Sequence, residues 1–340
     1  MKPNIYEVAK QAGVSIATVS KVINNTGRIS KATREKVLKV IEELQYHPSV
    51  VASALTGKHT YTIGLLVPDL ANPFFAEIAR SIEDRGHELG YNLIICNTDY
   101  NPVKEEKYIV LLKRKKVDAI ICASGFEDPS LIIQLTKEKF PIALVARDLP
   151  IIDVNIVAMN DFMAGFKATS YLIELGHKHI GIITRDVQSN RERYRGYLKA
   201  LQDHGLEPPM EVEYVKSTSV ESGKLMAGKY LDLPDRPTAL FACNDLLAIG
   251  AINAAKERSL NVPRDISIVG CDNTHVATIV DPPLTTIIQP IESLGRKVIE
   301  VVVDQIKNPD QDKVQLLLVP QLAIRDTTAP PNKKPLILTE

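Results

Sequence analysis

Ile5-Tyr6-Glu7-Val8-Ala9-Lys10-Gln11-Ala12-Gly13-Val14-Ser15-Ile16-Ala17-Thr18-Val19-Ser20-Lys21-Val22-Ile23 is the stretch that decides how this 340-residue chain is organised. Two short helices cross closely only where the residue inside the first is small, and Ala9 meets that need. The tight turn between them favours a residue tolerant of positive φ, which Gly13 supplies. Val8, Val14, Val19 and Val22 then fall on inward faces and close a miniature core. Ile16, Ala17, Ser20, Lys21 and Asn24 are left pointing outward from the second helix. A helix presented in this way fits a DNA major groove.

Working outward, Asn4 precedes the first helix with Glu7 three residues on, the pattern of a reciprocal cap. Ser15 stands where the second helix needs its cap. Ser30 opens a third helix, from Lys31 to about Gln45, whose Val37, Leu38, Ile41 and Leu44 recur at helical spacing. Pro48 stops this block. Residues 49–57 have the length of two helical turns, too short to hold a helix alone. From Tyr61 the pattern changes to strand-then-helix units. Strands are expected at 62–67, 92–96, 119–122, 142–146 and 154–159, then at 179–184, 212–215, 239–242 and 266–270. Amphipathic helices at 73–89, 104–115, 161–175 and 190–204 lie between them. Such alternation predicts two parallel, doubly wound sheets. The segments 285–289, 291–306 and 314–319 read as crossings between the two lobes.

Bulk properties narrow the function. The chain is long enough for two or three domains, and 45% hydrophobic with 24% charged residues is ordinary for a globular protein. No apolar run approaches a membrane span and the N-terminus has no apolar signal core, so a cytoplasmic protein without membrane contact is expected. The formal net charge is zero, yet residues 1–60 hold nine Lys/Arg against four Asp/Glu. A basic head on an acidic body suits phosphate contact at one end only. Cys96, Cys122, Cys243 and Cys271 lack metal or redox spacing and read as small buried hydrophobes, so no metal and no cofactor are expected. His177-Lys178-His179 reads as a helix end meeting a strand start, and Lys113-Arg114-Lys115-Lys116 as a solvated helix C-terminus. The chain has no nucleophile elbow, phosphate loop, zinc-protease motif or dinucleotide fingerprint, so no enzymatic activity is expected.

Polar groups gather just after the strand ends: Asp69, Asn97-Thr98-Asp99, Arg147-Asp148, Thr184-Arg185-Asp186, Asn244-Asp245 and Asp272-Asn273. Open α/β sheets bind ligands there. Two facing sheets would place these groups around one cleft. With Phe74 and Phe75 nearby, they suit a polyhydroxylated ligand, whose hydroxyls bond to the polar groups while rings cover its apolar face.

Ile5 to Ala9 with Ala17 to Val22, Tyr46-His47-Pro48, Ile63 to Asp69, Asn72-Pro73-Phe74-Phe75, Gly176-His177, Arg193 to Tyr197, Asn244-Asp245, Val262-Pro263, Ile268 to Asn273 and Leu284 to Ile287 follow one another in order. Together they make a chain that closely resembles the lactose-repressor (LacI/GalR) family of bacterial transcriptional regulators over nearly its whole length. The resemblance implies a small all-α helix-turn-helix headpiece (1–48), a hinge (49–60) and an effector-binding, dimerising α/β core (61–340). That core would consist of two doubly wound parallel-sheet lobes of the type I periplasmic-binding-protein kind. The N-terminal lobe would take about 61–160 plus 290–320, and the C-terminal lobe about 161–289 plus 321–330.

It further implies a homodimer on a near-palindromic double-stranded operator. Ser15, Ile16, Ala17, Thr18, Ser20, Lys21 and Asn24 would form the DNA face, with Leu55 as a minor-groove wedge. Lys21 stands where the family usually has Arg and offers a point charge in place of a bidentate fork. Ser53 likewise replaces a usual Arg. Arg193, Asn244 and Asp272 would bind effector, with Phe74, Phe75 and Gln289 lining the pocket and Arg147 beside it. Ala146 stands where the family often has Asp, which shifts the expectation towards an acidic or phosphorylated ligand. The expected activity is repression of carbohydrate-use genes, released by a small sugar or sugar derivative. Co-repression, global regulation through a phosphorylated carrier protein, and solute uptake are the alternatives. The segment after Asp326 has no leucine heptads, so a dimer is expected and not a tetramer.

Overall fold

The computed structural model describes residues 3–23, 27–46, 59–123, 126, 128–147 and 152–332. Contacts divide the chain into two units, residues 1–60 and 61–340.

The first unit contains helices α1 (Ile5–Ala12), α2 (Ile16–Ile23) and α3 (Lys31–Glu43). Asn4 Oδ1 accepts from Tyr6 N and Glu7 N at 3.0 and 3.1 Å, while Asn4 N donates to Glu7 Oε2 at 3.2 Å. The reciprocal cap therefore fixes where α1 begins. Gly13 ends it at φ 64°, a left-handed turn that a side chain would strain. Val8, Ala9, Ala12, Val19, Val22, Val37, Val40 and Tyr46 form the buried core, with Val14 packed partly against it.

In the second unit the elements run β1 (Thr62–Val67), α4 (Pro73–Glu88), β2 (Asn92–Asn97), α5 (Pro102–Arg114), β3 (Ala119–Ala123), α6 (Ser130–Lys137), β4 (Ile142–Val145) and β5 (Asn155–Met159). They continue with α7 (Asp161–Glu174), β6 (Ile180–Arg185), α8 (Gln188–Asp203), β7 (Tyr214–Val215), α9 (Val220–Leu231), β8 (Ala239–Ala242), α10 (Asp245–Glu257) and β9 (Ser267–Asp272). The last are α11 (Val276–Ile279), β10 (Thr285–Ile288), α12 (Ile291–Lys307), β11 (Gln315–Leu318) and β12 (Gln321–Ala323).

Two six-stranded sheets result, ordered β11-β5-β4-β3-β1-β2 and β12-β10-β9-β8-β6-β7. The first is parallel throughout, and in the second only the pairing of β12 with β10 is antiparallel. The chain therefore passes between lobes three times, at 159–161, 288–291 and 318–321. In the first lobe α4 and α12 cover one face of the sheet, and Ile78, Ile82, Val298 and Val302 are fully buried there. Each such side chain contributes about 1.5–3 kcal/mol through burial.

His177 is structural. It is buried, with Nδ1 2.8 Å from Thr238 Oγ1 and Nε2 2.9 Å from Ala329 O, and so anchors the C-terminal segment. The cysteines are likewise buried, and all four are free thiols. Burial pushes the Cys243 thiol up to about 12, which keeps it a neutral hydrophobe. Among the described residues no cluster of His, Cys, Asp and Glu is placed to hold a metal ion. No described helix is long and apolar enough to cross a membrane.

Candidate functional site

The headpiece exposes Ile16, Ala17 and Lys21 of α2 and half-exposes Ser20. Ser15 Oγ accepts from Thr18 N at 3.2 Å and lies 2.9 Å from Thr18 Oγ1. Both hydroxyls are thus engaged in capping α2. Ile16 keeps 40% of its surface exposed, an uncovered apolar side chain at the first turn of the outward helix. The stem of Lys21 runs beside Gly27, with Cδ 3.3 Å from where a Cβ at that glycine would stand. Asn24, Leu55 and the hinge segment lie outside the described residues.

The second site lies between the two lobes, at the carboxyl ends of their strands. Phe74 and Phe75, at the first turn of α4, are buried edge to face with ring centroids 5.1 Å apart. Asn72 caps that helix by accepting from Phe74 N at 3.1 Å and also faces the cleft. From the other lobe come Arg193, Asn244, Asp272 and Gln289.

A close helix crossing sets the position of Arg193. A Cβ at Gly165 of α7 would stand 1.9 Å from the Arg193 carbonyl oxygen, and one at Gly196 of α8 would stand 2.0 Å from Phe162 O. Only glycine allows this approach. It brings Arg193 Nε to Asp161 Oδ1 at 2.8 Å, Nη1 onto Cys243 O, and Nη1 to 3.8 Å from Asp272 Oδ1. Asp272 also accepts from Gln289 Nε2 at 2.6 Å and from Asn244 Nδ2. Just behind it, Asp245 accepts from Thr274 N, Thr274 Oγ1 and Thr286 Oγ1 at 2.8, 2.9 and 2.6 Å.

Burial pushes the Asp272 carboxyl up to about 8, Arg193 pulls it back down, and the neighbouring Asp245 charge raises it further. Burial also raises Asp245, to about 6, against the pull of its threonine hydrogen bonds. Strained backbone collects at the same strand ends: φ is 56° at Asp99, 54° at Tyr100, 55° at Ala146, 127° at Asp272 and 58° at Asn273. Non-glycine residues hold such angles only where the surroundings impose them, most often at binding sites.

The structure thus gathers Phe74, Phe75, Arg193, Asn244, Asp272 and Gln289 around one cleft. It does not bring Arg147 to them. Ala146 faces the cleft just past β4 with a left-handed φ of 55°, which breaks the alternation of the strand, and the next side chain turns to the other face of the sheet, where Arg147 is buried and acts on the Cys122 thiol together with Glu105. Asp161, the first residue of α7, is the partner of Arg193, while Asn160 caps that helix. Tyr100, Ser189, Asn190 and Thr218 also line the cleft. Tyr100 directly follows the polar run Asn97-Thr98-Asp99, a signal that could have pointed to it. Ser189 and Asn190 lie in the first turn of α8 and Thr218 in the loop before α9, positions whose placement only the second sheet reveals.

Residues 4–49 match the family described as bacterial regulatory proteins, lacI family, and residues 169–328 match a periplasmic binding protein-like domain. The chain is 45% identical to the HTH-type transcriptional regulator DegA of Bacillus subtilis, over 98% of this chain and all of that one. It is 36% identical to the HTH-type transcriptional repressor PurR of Mannheimia succiniciproducens, covering 94% and 97% of the two chains. Among solved structures, the lac repressor dimer bound to operator and the anti-inducer ONPF superposes with a TM-score of 0.87 at 28% identity, covering 97% of this chain and all of that one. The complex of the transcriptional regulator CelR with cellobiose superposes with a TM-score of 0.73 at 31% identity, covering 96% and 99%.

Proposed function

Because the chain belongs to the LacI family and is a DNA-binding transcriptional regulator, we propose that it represses its target genes as a homodimer and leaves DNA when a small, neutral, polyhydroxylated effector binds between the lobes. Ile16 and Ala17 offer apolar contact to thymine methyl groups in the major groove, and Lys21 supplies a phosphate contact. Asn24 and the wedge at Leu55 complete the DNA face.

One observation carries the effector assignment. Among the described cleft-lining residues Arg193 is the one cation, and its charge is already met by Asp161 at 2.8 Å, with Asp272 at 3.8 Å. A phosphate or carboxylate entering this cleft would find no free positive charge among these residues to meet it and would lie against the acidic side chain of Asp272, whereas hydroxyls hydrogen-bond readily to Asp272 and accept from Asn244 and Gln289. The Phe74–Phe75 pair offers a surface for the apolar face of a sugar ring. Ala146, where the missing carboxylate shifts the expectation towards an acidic ligand, lines the cleft, but Asp272 keeps an acidic group there and Arg147 adds no cation, since it sits on the other face of the sheet. The sugar-bound state of CelR supports the same class of ligand.

The mechanism is a shift between lobe arrangements. Effector binds one arrangement more tightly, and the difference in affinity sets how far operator affinity falls. A gel shift tests this, with purified protein, DNA from its own upstream region, and a panel of neutral sugars beside their phosphate esters. A specific complex released by a neutral sugar supports the proposal. A complex that forms only when a compound is added, or is released only by phosphate esters, overturns it. Arg193→Ala should keep operator binding and lose the response.

A further inference from the structure

Besides the three chain crossings, two side-chain contacts among the described residues bridge the lobes. His275, just after β9, donates its backbone N–H to Glu77 Oε1 of α4 at 3.0 Å, and its Nδ1 lies 2.6 Å from the same oxygen. Arg185, the last residue of β6, holds its guanidinium carbon 3.8 Å from the centre of the Tyr100 ring in the turn after β2. In the second sheet β6 and β9 are separated by β8, so these contacts start about 10 Å apart. The cleft groups Arg193, Asn244 and Asp272 come from the elements between and beside them.

The first bridge is built into the ligand site. Glu77 lies three residues beyond Phe74 on α4, and His275 three residues beyond Asp272. The turn between Asp272 and His275 is locked from behind: Thr274 N and Oγ1 donate to Asp245, and Arg325 Nη2 donates to Asn273 Oδ1 at 2.6 Å. Asp272 and Asn273 hold φ of 127° and 58° within it. Any rotation that moves Asp272 against a ligand therefore carries the His275 N–H with it. Neither Glu77 nor His275 lines the cleft.

We propose that Glu77–His275 and Tyr100–Arg185 form a two-point latch that sets how often the lobes are closed, and that the 272–275 turn links the first point to the effector site. The latch does not depend on the chemical identity of the effector. Both bridges are partly exposed, with side-chain exposures of 32% at Glu77 and 64% at His275. Each should therefore change the closed-to-open ratio by about two- to fivefold, enough to bias an equilibrium without locking it.

The test uses the full-length chain with spin labels at Glu106→Cys on α5 and Lys216→Cys after β7, both exposed; the four native cysteines are buried and stay unlabelled. Double electron–electron resonance then reads the interlobe distance without any ligand. Glu77→Ala should raise the long-distance population about two- to fivefold. His275→Ala should do less, because its backbone N–H still reaches Glu77. The double variant should match Glu77→Ala alone, while Arg185→Ala should add to it. Unchanged thermal unfolding of the variants excludes misfolding. A distance distribution unaffected by Glu77→Ala and Arg185→Ala overturns the latch. Absence of operator binding would remove the proposed function and leave these distances to decide the latch.

Discussion

Gly165→Ala sets two physical effects against each other. By helix propensity alone, alanine in place of an interior glycine stabilises by about 1 kcal/mol. In this chain the new methyl carbon would stand 1.9 Å from the Arg193 carbonyl oxygen, with the Arg193 carbonyl carbon at 2.6 Å. Ordinary contact begins near 3.4 Å, so α7 and α8 must part by about 1.5 Å. The obstacle is backbone, which has no rotamer to escape into, so the overpacking cost lies at the upper end of about 1–3 kcal/mol. The net expectation is a loss of about 2 kcal/mol, or about 4–8 °C in Tm for a unit of this size. The same parting would stretch the 2.8 Å bond between Arg193 and Asp161 beyond hydrogen-bond reach, so effector response should weaken as well. Far-UV circular dichroism melts read the stability, with Lys199→Ala on the exposed face of α8 as the control. A Gly165→Ala protein that melts at or above the wild-type temperature would refute the close crossing and the placement of Arg193 derived from it.

Asp161→Ala leaves the buried Arg193 with Asp272 at 3.8 Å as its remaining carboxylate partner. Urea unfolding should show a loss of about 3 kcal/mol, and a change within experimental error would contradict the pairing. Asp272 keeps its proton up to about 8 when folded but only to near 4 when unfolded. The folded chain therefore binds more protons across that window, and stability falls as pH rises from about 4 to about 8. Asp272→Asn should flatten the slope of Tm between pH 5 and 7.5, and an unchanged slope would count against a protonated Asp272. Lys21→Ala should weaken binding to all DNA sequences alike and reduce the salt-dependence slope of a dimer by about two, one for each lost phosphate contact. If base preference changes instead, Lys21 reads bases.

Local chemistry made the headpiece legible. Asn4 with Glu7, the left-handed Gly13 and the valine spacing each constrain only neighbouring residues, and together they fix three helices. The strands of both lobes were legible for the same reason, as short apolar runs bounded by turns. The strands at 62–67 and 239–242 lie as expected, while the ends of the others shifted by a residue or more: the second-lobe edge strand shortened from 212–215 to Tyr214–Val215, because pairing with β6 and not composition decides where an edge strand stops. β12 went unread since three residues carry no periodicity, and its pairing with β10 is long-range.

In the cleft, residues lying just past strand ends could be found from sequence. The misplacement of Arg147 has a local cause: the left-handed φ of 55° at Ala146 breaks the alternation of β4, and sequence does not show that break or which of Ala146 and Arg147 then faces the ligand. The role of Asp161 was equally hidden, because it depends on glycines at 165 and 196 bringing two helices together.

The most direct test of the account is selection of binding sites from random duplex DNA by the full-length protein, followed by titration of the best site. The account predicts an enriched near-palindrome, bound with two chains per duplex and weakened at least tenfold by a neutral sugar. Enrichment of no sequence, or of a single asymmetric half-site bound by one chain, would contradict it.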